Sequence, residues 1–232
     1  MCGRSVISAY QPNLDVFDVE RLLTIVCCSG TVLRDLQKQV SPTAELVGAD
    51  IMSSFLPKEN PSGNINYVIQ DICEPFASDL QSKFDLTTVR FVLLASGRVG
   101  LETAVKNLVG SLAPGGWLQV IELDTDLKPT GSPQALKDLI GIMGALFVKL
   151  SMGSNFASTL DTHFKKAGLE NVSVRIAELP VGMKLGNETD SRNSIEPFKL
   201  TIPSMIETCQ SKFEYNPNLE IFRKLTSYQI SG

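Results

Sequence analysis

Residues 22–36, "LLTIVCCSGTVLRDL", decide the fold. "LLTIV" is an unbroken apolar and β-branched run, the pattern of a strand covered on both faces, and "TVLRDLQKQV" has helical spacing. A tight turn joins them, carrying Cys27, Cys28 and Gly30. Strand-like and helix-like segments keep alternating: "AELVGAD", "INYVIQD", "FDLTTVRFVLLAS", "LETAVKNLVGSL", the turn "APGG", and "WLQVIEL". Buried strands separated by helices imply an α/β domain, doubly wound, with a mainly parallel sheet. Helices follow at about 133–150 and 155–167, the second stopped by "KKAGL", and "NVSVRIAEL" reads as a late strand.

The 232 residues suit one domain spanning 1–232, with a core at about 20–185 and C-terminal helices at about 190–230. A net charge of −4, with no basic cluster, points away from nucleic acid. The first residues hold no signal-peptide stretch, and the longest apolar run, 139–150, is too short for a bilayer and contains Lys149. The expectation is a cytoplasmic protein without a membrane partner. Five cysteines without a CxxC pair, and a single histidine, make no metal site. The triplets "NVS" and "NET" matter only in a secretory compartment, and the absence of G-x-S-x-G removes the nucleophile of a serine hydrolase.

In a doubly wound sheet the ligand sits beyond the carboxyl ends of the strands, and an acid about 20 residues after the first turn accepts ribose hydroxyls. Asp50 stands 20 positions after Gly30. Asp71 ends the third strand-like segment in "NYVIQDICEPF", Asp85 opens the fourth, and "LAPGGWLQVIELD" leads through the fifth. In this order these pieces resemble the class I S-adenosylmethionine-dependent methyltransferases, most closely the fungal secondary-metabolism, LaeA-like group. The resemblance covers about residues 20–185. It implies a Rossmann-like fold, S-adenosyl-L-methionine as cofactor, and a small-molecule secondary metabolite as acceptor, methylated on oxygen, nitrogen or carbon.

The resemblance also distributes roles. Thr24 to Gly30 match the glycine-rich motif under the methionine part of the cofactor. Asp50, followed by Ile51, matches the ribose acid, and Asp71 with Ile72 matches the pair at the adenine. "VRFVLL" and Glu122 to Asp124 match the side facing the transferred methyl and the acceptor. The family pattern acid-x-Gly-x-Gly-x-Gly here reads "TIVCCSG": Thr24 replaces the acid, Val26 the first glycine and Cys28 the second. A side chain where glycine allows unusual angles costs about 1–3 kcal/mol if strained, so cofactor binding is expected to be weakened or lost. Only about 21 residues precede "LLTIV", where relatives carry helices over the pocket, which leaves room for a partner chain that completes it.

Other residues carry paired readings. Glu122 and Asp124 are either a general base or solvated loop acids, and Arg90 either steers an anionic acceptor or pairs with an acid. Phe91, Leu94 and Trp117 are apolar candidates for the acceptor wall, Trp117 fitting the core better. His163 suits a helix end better than catalysis, and Cys27 and Cys28 suit packing better than redox chemistry. Two rival functions remain beside methyl transfer: a cyclase or isomerase using the same fold without a donor, and a non-catalytic subunit of a heteromeric methyltransferase.

Overall fold

The computed structural model describes residues 5–8, 18–25, 30–58, 64–124, 134–149, 151, 156–178, 180, 182–196, 199 and 203. The chain divides into two compact units. The larger is Val6–Leu123 with Phe156–Ile176, and it contains most of the sheet.

Its strands are β1 (Ser5–Ser8), β2 (Arg21–Ile25), β3 (Glu45–Asp50), β4 (Ile65–Ile69), β5 (Phe84–Arg90), β6 (Leu112–Leu123) and β7 (Arg175–Glu178), in the order β4-β3-β2-β5-β6-β1-β7. Its helices are α1 (Thr31–Gln37), α2 (Leu101–Gly110) and, after α3 (Gln134–Lys149) of the other unit, α4 (Leu160–Lys166). The pairs β2–β3, β3–β4, β2–β5 and β5–β6 are all parallel, giving a five-stranded parallel core. From β2 the chain steps outward to β3 and β4, then returns to β5 on the other side of β2. That reversal opens a crevice at the carboxyl ends of β2 and β5, where doubly wound proteins place ligands. This is the doubly wound α/β class expected from the apolar runs, and it is Rossmann-like as the resemblance implies.

The runs form these strands because both faces are covered. Leu22, Leu23, Leu46 and Val47 are buried whichever way they point along the strand. Val19, Leu22, Leu33, Val40, Ala44, Leu46, Ile65 and Leu86 make one core cluster, with Leu36, Tyr67 and Trp117 packed on it. Trp117 thus packs against the core and stays partly buried. At the amino ends of the strands, Asp85 receives the backbone N–H groups of Arg21 at 2.8 Å and Glu20 at 3.2 Å, tying β2 to β5.

Three local readings need correction. "LLTI" (residues 22–25) lies in the second strand, since Ser5–Ser8 pairs antiparallel with β6 (Ile7 opposite Glu122). No hydrophobic run marks so short a strand. "APGG" is not a turn between helix and strand: β6 begins at Leu112, and the register slips so that Phe84 faces Leu112 while Leu86 faces Trp117. A Cβ on Gly116 would lie 2.6 Å from the Phe84 carbonyl oxygen, so the bulge closes only on glycine. Residues 156–159 form a 3₁₀ turn ahead of α4. The stop after α4 is as read: Gly168 is left-handed at φ +88° and Leu169 N–H reaches the Phe164 carbonyl at 3.0 Å.

The second unit contains Asp124, α3 and the helical residues 188–196. Leu139, Ile140, Ile142, Leu146 and Phe147 give α3 a buried side. Asn187 starts the 188–196 helix by accepting the Asp190 N–H at 2.7 Å. The remaining C-terminal stretch expected to be helical lies outside the described residues, apart from positions 199 and 203. Among the described residues no helix is long and apolar enough to cross a membrane.

Candidate cofactor cleft

Within the larger unit a cleft of about 230 Å³ opens at the carboxyl ends of β2 to β5. Ile25 ends β2 at its base, Asp50 and Ile51 close β3, Asp71 and Ile72 follow β4, and Val92 follows β5. Parallel strands bring these residues together although they are spread over nearly 70 positions of sequence.

Asp50 is the most informative of them. It is 2 % exposed; its Oδ1 accepts the Met52 N–H at 3.0 Å, and its Oδ2 is buried with no hydrogen-bond partner among the described residues. A buried acceptor without a donor costs about 1–3 kcal/mol, more when charged. A ligand hydroxyl entering the cleft would remove that cost. Ile51, directly after it, is 54 % exposed and offers an apolar surface at the cleft.

Asp71 is differently placed. Its Oδ1 accepts the Cys73 N–H at 2.8 Å and its Oδ2 pairs with the Arg98 guanidinium at 2.6 Å. Arg98 also reaches Glu74 at 3.2 Å, and its side chain, 58 % exposed, lines the cleft. An amino group approaching Asp71 must share Oδ2 with this cation, which its second lone pair permits. Ile72 is buried. Burial, then the charge of Asp71, push the Cys73 thiol up, so it sits there neutral and unreactive.

Of the first turn, the structure describes its two ends. Thr24 is buried at the tip region of β2, and its hydroxyl accepts from the Thr88 hydroxyl at 3.2 Å, a cross-strand pair in register. The Thr24 hydroxyl is thus satisfied within the sheet. Gly30 is left-handed, φ +70°, ahead of α1; a Cβ there would lie 2.5 Å from the Tyr67 hydroxyl oxygen. This glycine is required by both space and angle. Val26, Cys27 and Cys28 lie outside the described residues.

Near the end of β6, Glu122 is 3 % exposed, and its Oε1 accepts the N–H groups of Val92 at 2.9 Å and Leu93 at 2.8 Å. Burial pushes its carboxyl up to about 7, against the lowering effect of the N–H groups of Leu93, Val92 and Leu123. It is a buried, hydrogen-bonded acid, not a solvated one. Phe91 is held at φ +56°, unusual for a bulky residue, and is 44 % exposed. The exposed Arg90 guanidinium lies 5.3 Å from its ring centroid. Leu94 is only partly buried on the turn that follows. Asp124 is buried and belongs to the smaller unit. His163 sits in the last turn of α4, as its helix-end reading has it. Among the described residues no cluster of His, Cys, Asp and Glu could hold a metal ion.

Sequence reasoning did not single out Arg98, and it reached Val92 and Cys73 only as members of "VRFVLL" and "QDICEPF". The place of each depends on where the turns after β4 and β5 fold back. A larger cleft, about 440 Å³, lies at the amino ends of β5 and β6 beside Trp117 and Phe164. Its lining has one titratable side chain, Glu170, so the smaller cleft is the one equipped for ligand chemistry.

The topology and this cleft define a Rossmann-like α/β protein with a ligand-sized cleft at its strand ends. No family model matches the chain. It is similar to methyltransferase psoC of Aspergillus fumigatus, 26 % identical over 196 residues, 84 % of this chain and 71 % of that protein. It is also similar to N-methyltransferase sirN of Leptosphaeria maculans, 30 % identical over 179 residues, 76 % of this chain and 60 % of that one. A third relative is methyltransferase grgD of a Penicillium species, 31 % identical over 134 residues, 56 % of this chain and 46 % of that one. The chain thus spans less than two thirds of two of these three relatives. A solved structure, the trans-methyltransferase CalH in complex with SAH, aligns with a TM-score of 0.48 at 20 % identity over 68 % of this chain and 49 % of CalH.

Proposed function

We propose that the chain is an S-adenosylmethionine-dependent methyltransferase acting on a small-molecule secondary metabolite, and that the 230 Å³ cleft is its cofactor site. The observation that carries this reading is the unpartnered Oδ2 of Asp50, a buried acceptor at the position where a ribose diol would supply donors. The relatives named as methyltransferases support it independently. In this reading Asp50 holds the ribose and Ile51 and Ile72 flank the adenine. Asp71 accepts the adenine amino group beside Arg98, and Thr24, Val26, Cys28 and Gly30 form the turn under the methionine part.

When bound, the cofactor supplies an electrophilic methyl for in-line displacement by the acceptor. The protein's part is alignment and exclusion of water. In this reading Glu122 shapes the turn after β5 rather than taking a proton, its Oε1 accepting two backbone N–H groups. Arg90 and Phe91, exposed together at the end of β5, suit an electron-rich or anionic acceptor. Such an acceptor needs little general-base help.

The test is calorimetric titration with S-adenosylmethionine and S-adenosylhomocysteine, repeated on Asp50→Ala. Loss of two charge-assisted hydrogen bonds, each worth about 1.5–3 kcal/mol, should weaken binding at least tenfold. A folded wild-type chain that binds neither compound would refute the cofactor reading and leave a donor-free cyclase or a non-catalytic subunit.

A further inference from the structure

Two unfavourable features meet in one turn beside the cleft. Phe91 holds a left-handed backbone, φ +56°, a conformation that disfavours a bulky side chain. Directly behind it Glu122 is buried in the sheet, and a carboxylate in that position loses its hydration. The two are linked. Phe91 N–H donates to the Ile121 carbonyl at 2.9 Å, which carries the β5–β6 pairing one residue past the end of β5. The next two N–H groups, Val92 and Leu93, leave the ladder and converge on Glu122 Oε1. One carboxylate oxygen therefore replaces the strand partners that the chain loses as it turns. Val92, so held, lines the cleft with Asp50 and Asp71, while the Phe91 ring stays exposed.

We propose that Glu122 is a positioning residue for the ligand cleft: its carboxylate fixes the Phe91–Leu93 turn in the form that presents Val92 to the ligand and Phe91 to the acceptor. An apolar side chain would satisfy the core at this position but would leave two N–H groups without an acceptor and the turn free to relax. The inference rests on the cleft being the cofactor site, and it assigns Glu122 a role other than catalysis.

Amide hydrogen exchange tests it, together with S-adenosylhomocysteine titration, on the wild type, Glu122→Asp and Glu122→Gln. Aspartate keeps the charge but is one methylene too short to reach both amides; glutamine keeps the length and an acceptor oxygen. The expected result is protection of Val92 and Leu93 in the wild type. In Glu122→Asp both amides should exchange about tenfold faster and the ligand should bind about tenfold more weakly, the scale of one hydrogen bond to a charged group. Glu122→Gln should restore both readings, which a role in proton transfer would not allow.

Unprotected Val92 and Leu93 amides in the wild type would overturn the inference. So would wild-type exchange in Glu122→Asp, or faster exchange there with unchanged affinity. If Glu122→Asp does not fold, Phe91→Gly takes its place. The turn held by Glu122 should keep both amides protected when the residue before them is freed, and loss of protection would count against the clamp. A wild type with protected amides and no affinity for S-adenosylhomocysteine would overturn the cofactor reading alone, the exchange pattern still deciding the role of Glu122 in the turn.

Discussion

Asp50→Asn should separate stability from binding. Among the described residues Asp50 Oδ2 is a buried carboxylate oxygen without a donor, while Oδ1 bonds the Met52 N–H. Asparagine keeps that Oδ1 acceptor and replaces the charged, unpaired oxygen by a neutral NH₂ of the same size. An unsatisfied buried group costs about 1–3 kcal/mol and a charged one more, and the amide recovers part of this. A gain of about 1 kcal/mol corresponds to about 2–4 °C for a protein of this length. The variant should therefore melt a few degrees above the wild type by scanning calorimetry in the absence of ligand. The same substitution presents a donor to the ribose hydroxyls, so S-adenosylhomocysteine should lose at least tenfold in affinity and shift the melting temperature less than it does in the wild type. A variant that melts below the wild type, or that binds the ligand equally well, would show that Asp50 is satisfied within the fold and is not a ligand acceptor.

Gly30→Ala should lower the melting temperature by about 2–10 °C. It places a side chain at φ +70° with its Cβ 2.5 Å from the Tyr67 hydroxyl, a strain of about 1–3 kcal/mol, and Tyr67→Phe should recover part of the loss. Glu122→Gln should remove a pH dependence. With the native carboxyl pushed up to about 7 from an ordinary 4.5, the native state holds its proton more tightly than the unfolded chain. The associated stability is present below about pH 4.5 and lost as pH rises to about 7, some 3 kcal/mol in all. Urea midpoints of variant and wild type should diverge through that window, in favour of the variant, and parallel curves would refute the assignment. Arg98→Ala should leave the urea midpoint nearly unchanged, because its ion pairs with Asp71 and Glu74 are solvent-exposed on the arginine side. Asp71→Ala should cost more, because it also removes the acceptor of the Cys73 N–H.

The sheet was readable because its central strands are buried on both faces. "LLTIV" and "ELVGAD" alternate with helical stretches, and that rhythm alone demands a parallel, doubly wound core. The strand-tip acid Asp50 was readable for the same reason, since spacing from the first turn puts it at the carboxyl end of the neighbouring strand. What spacing cannot supply is the state of hydrogen bonding around an acid. Asp50 and Asp71 look alike in sequence, yet one keeps an unpartnered oxygen and the other has both oxygens taken, by Cys73 N–H and by Arg98. Arg98 sits in "SGRVG", where no periodicity distinguishes it from a surface cation. The strand Ser5–Ser8 was missed because its partner, β6, lies more than 100 residues away, and pairing at that distance leaves no local pattern.

The three acids at the ends of the parallel strands therefore divide the work of the cleft by what already surrounds each. Glu122 is consumed by two backbone N–H groups and serves the shape of the turn. Asp71 is shared with Arg98 and can accept a further donor only through its remaining lone pairs. Asp50 alone holds a buried oxygen in reserve. A ligand that fits must then bring its strongest donors to the end of β3 and a weaker one to the turn after β4, with an apolar plane between Ile51 and Ile72. A sugar diol joined to an amino-substituted base has that arrangement, whereas a phosphate or carboxylate placed against Asp50 would meet a like charge. In the proposed reading the end of β3 therefore suits a nucleoside diol better than an anion.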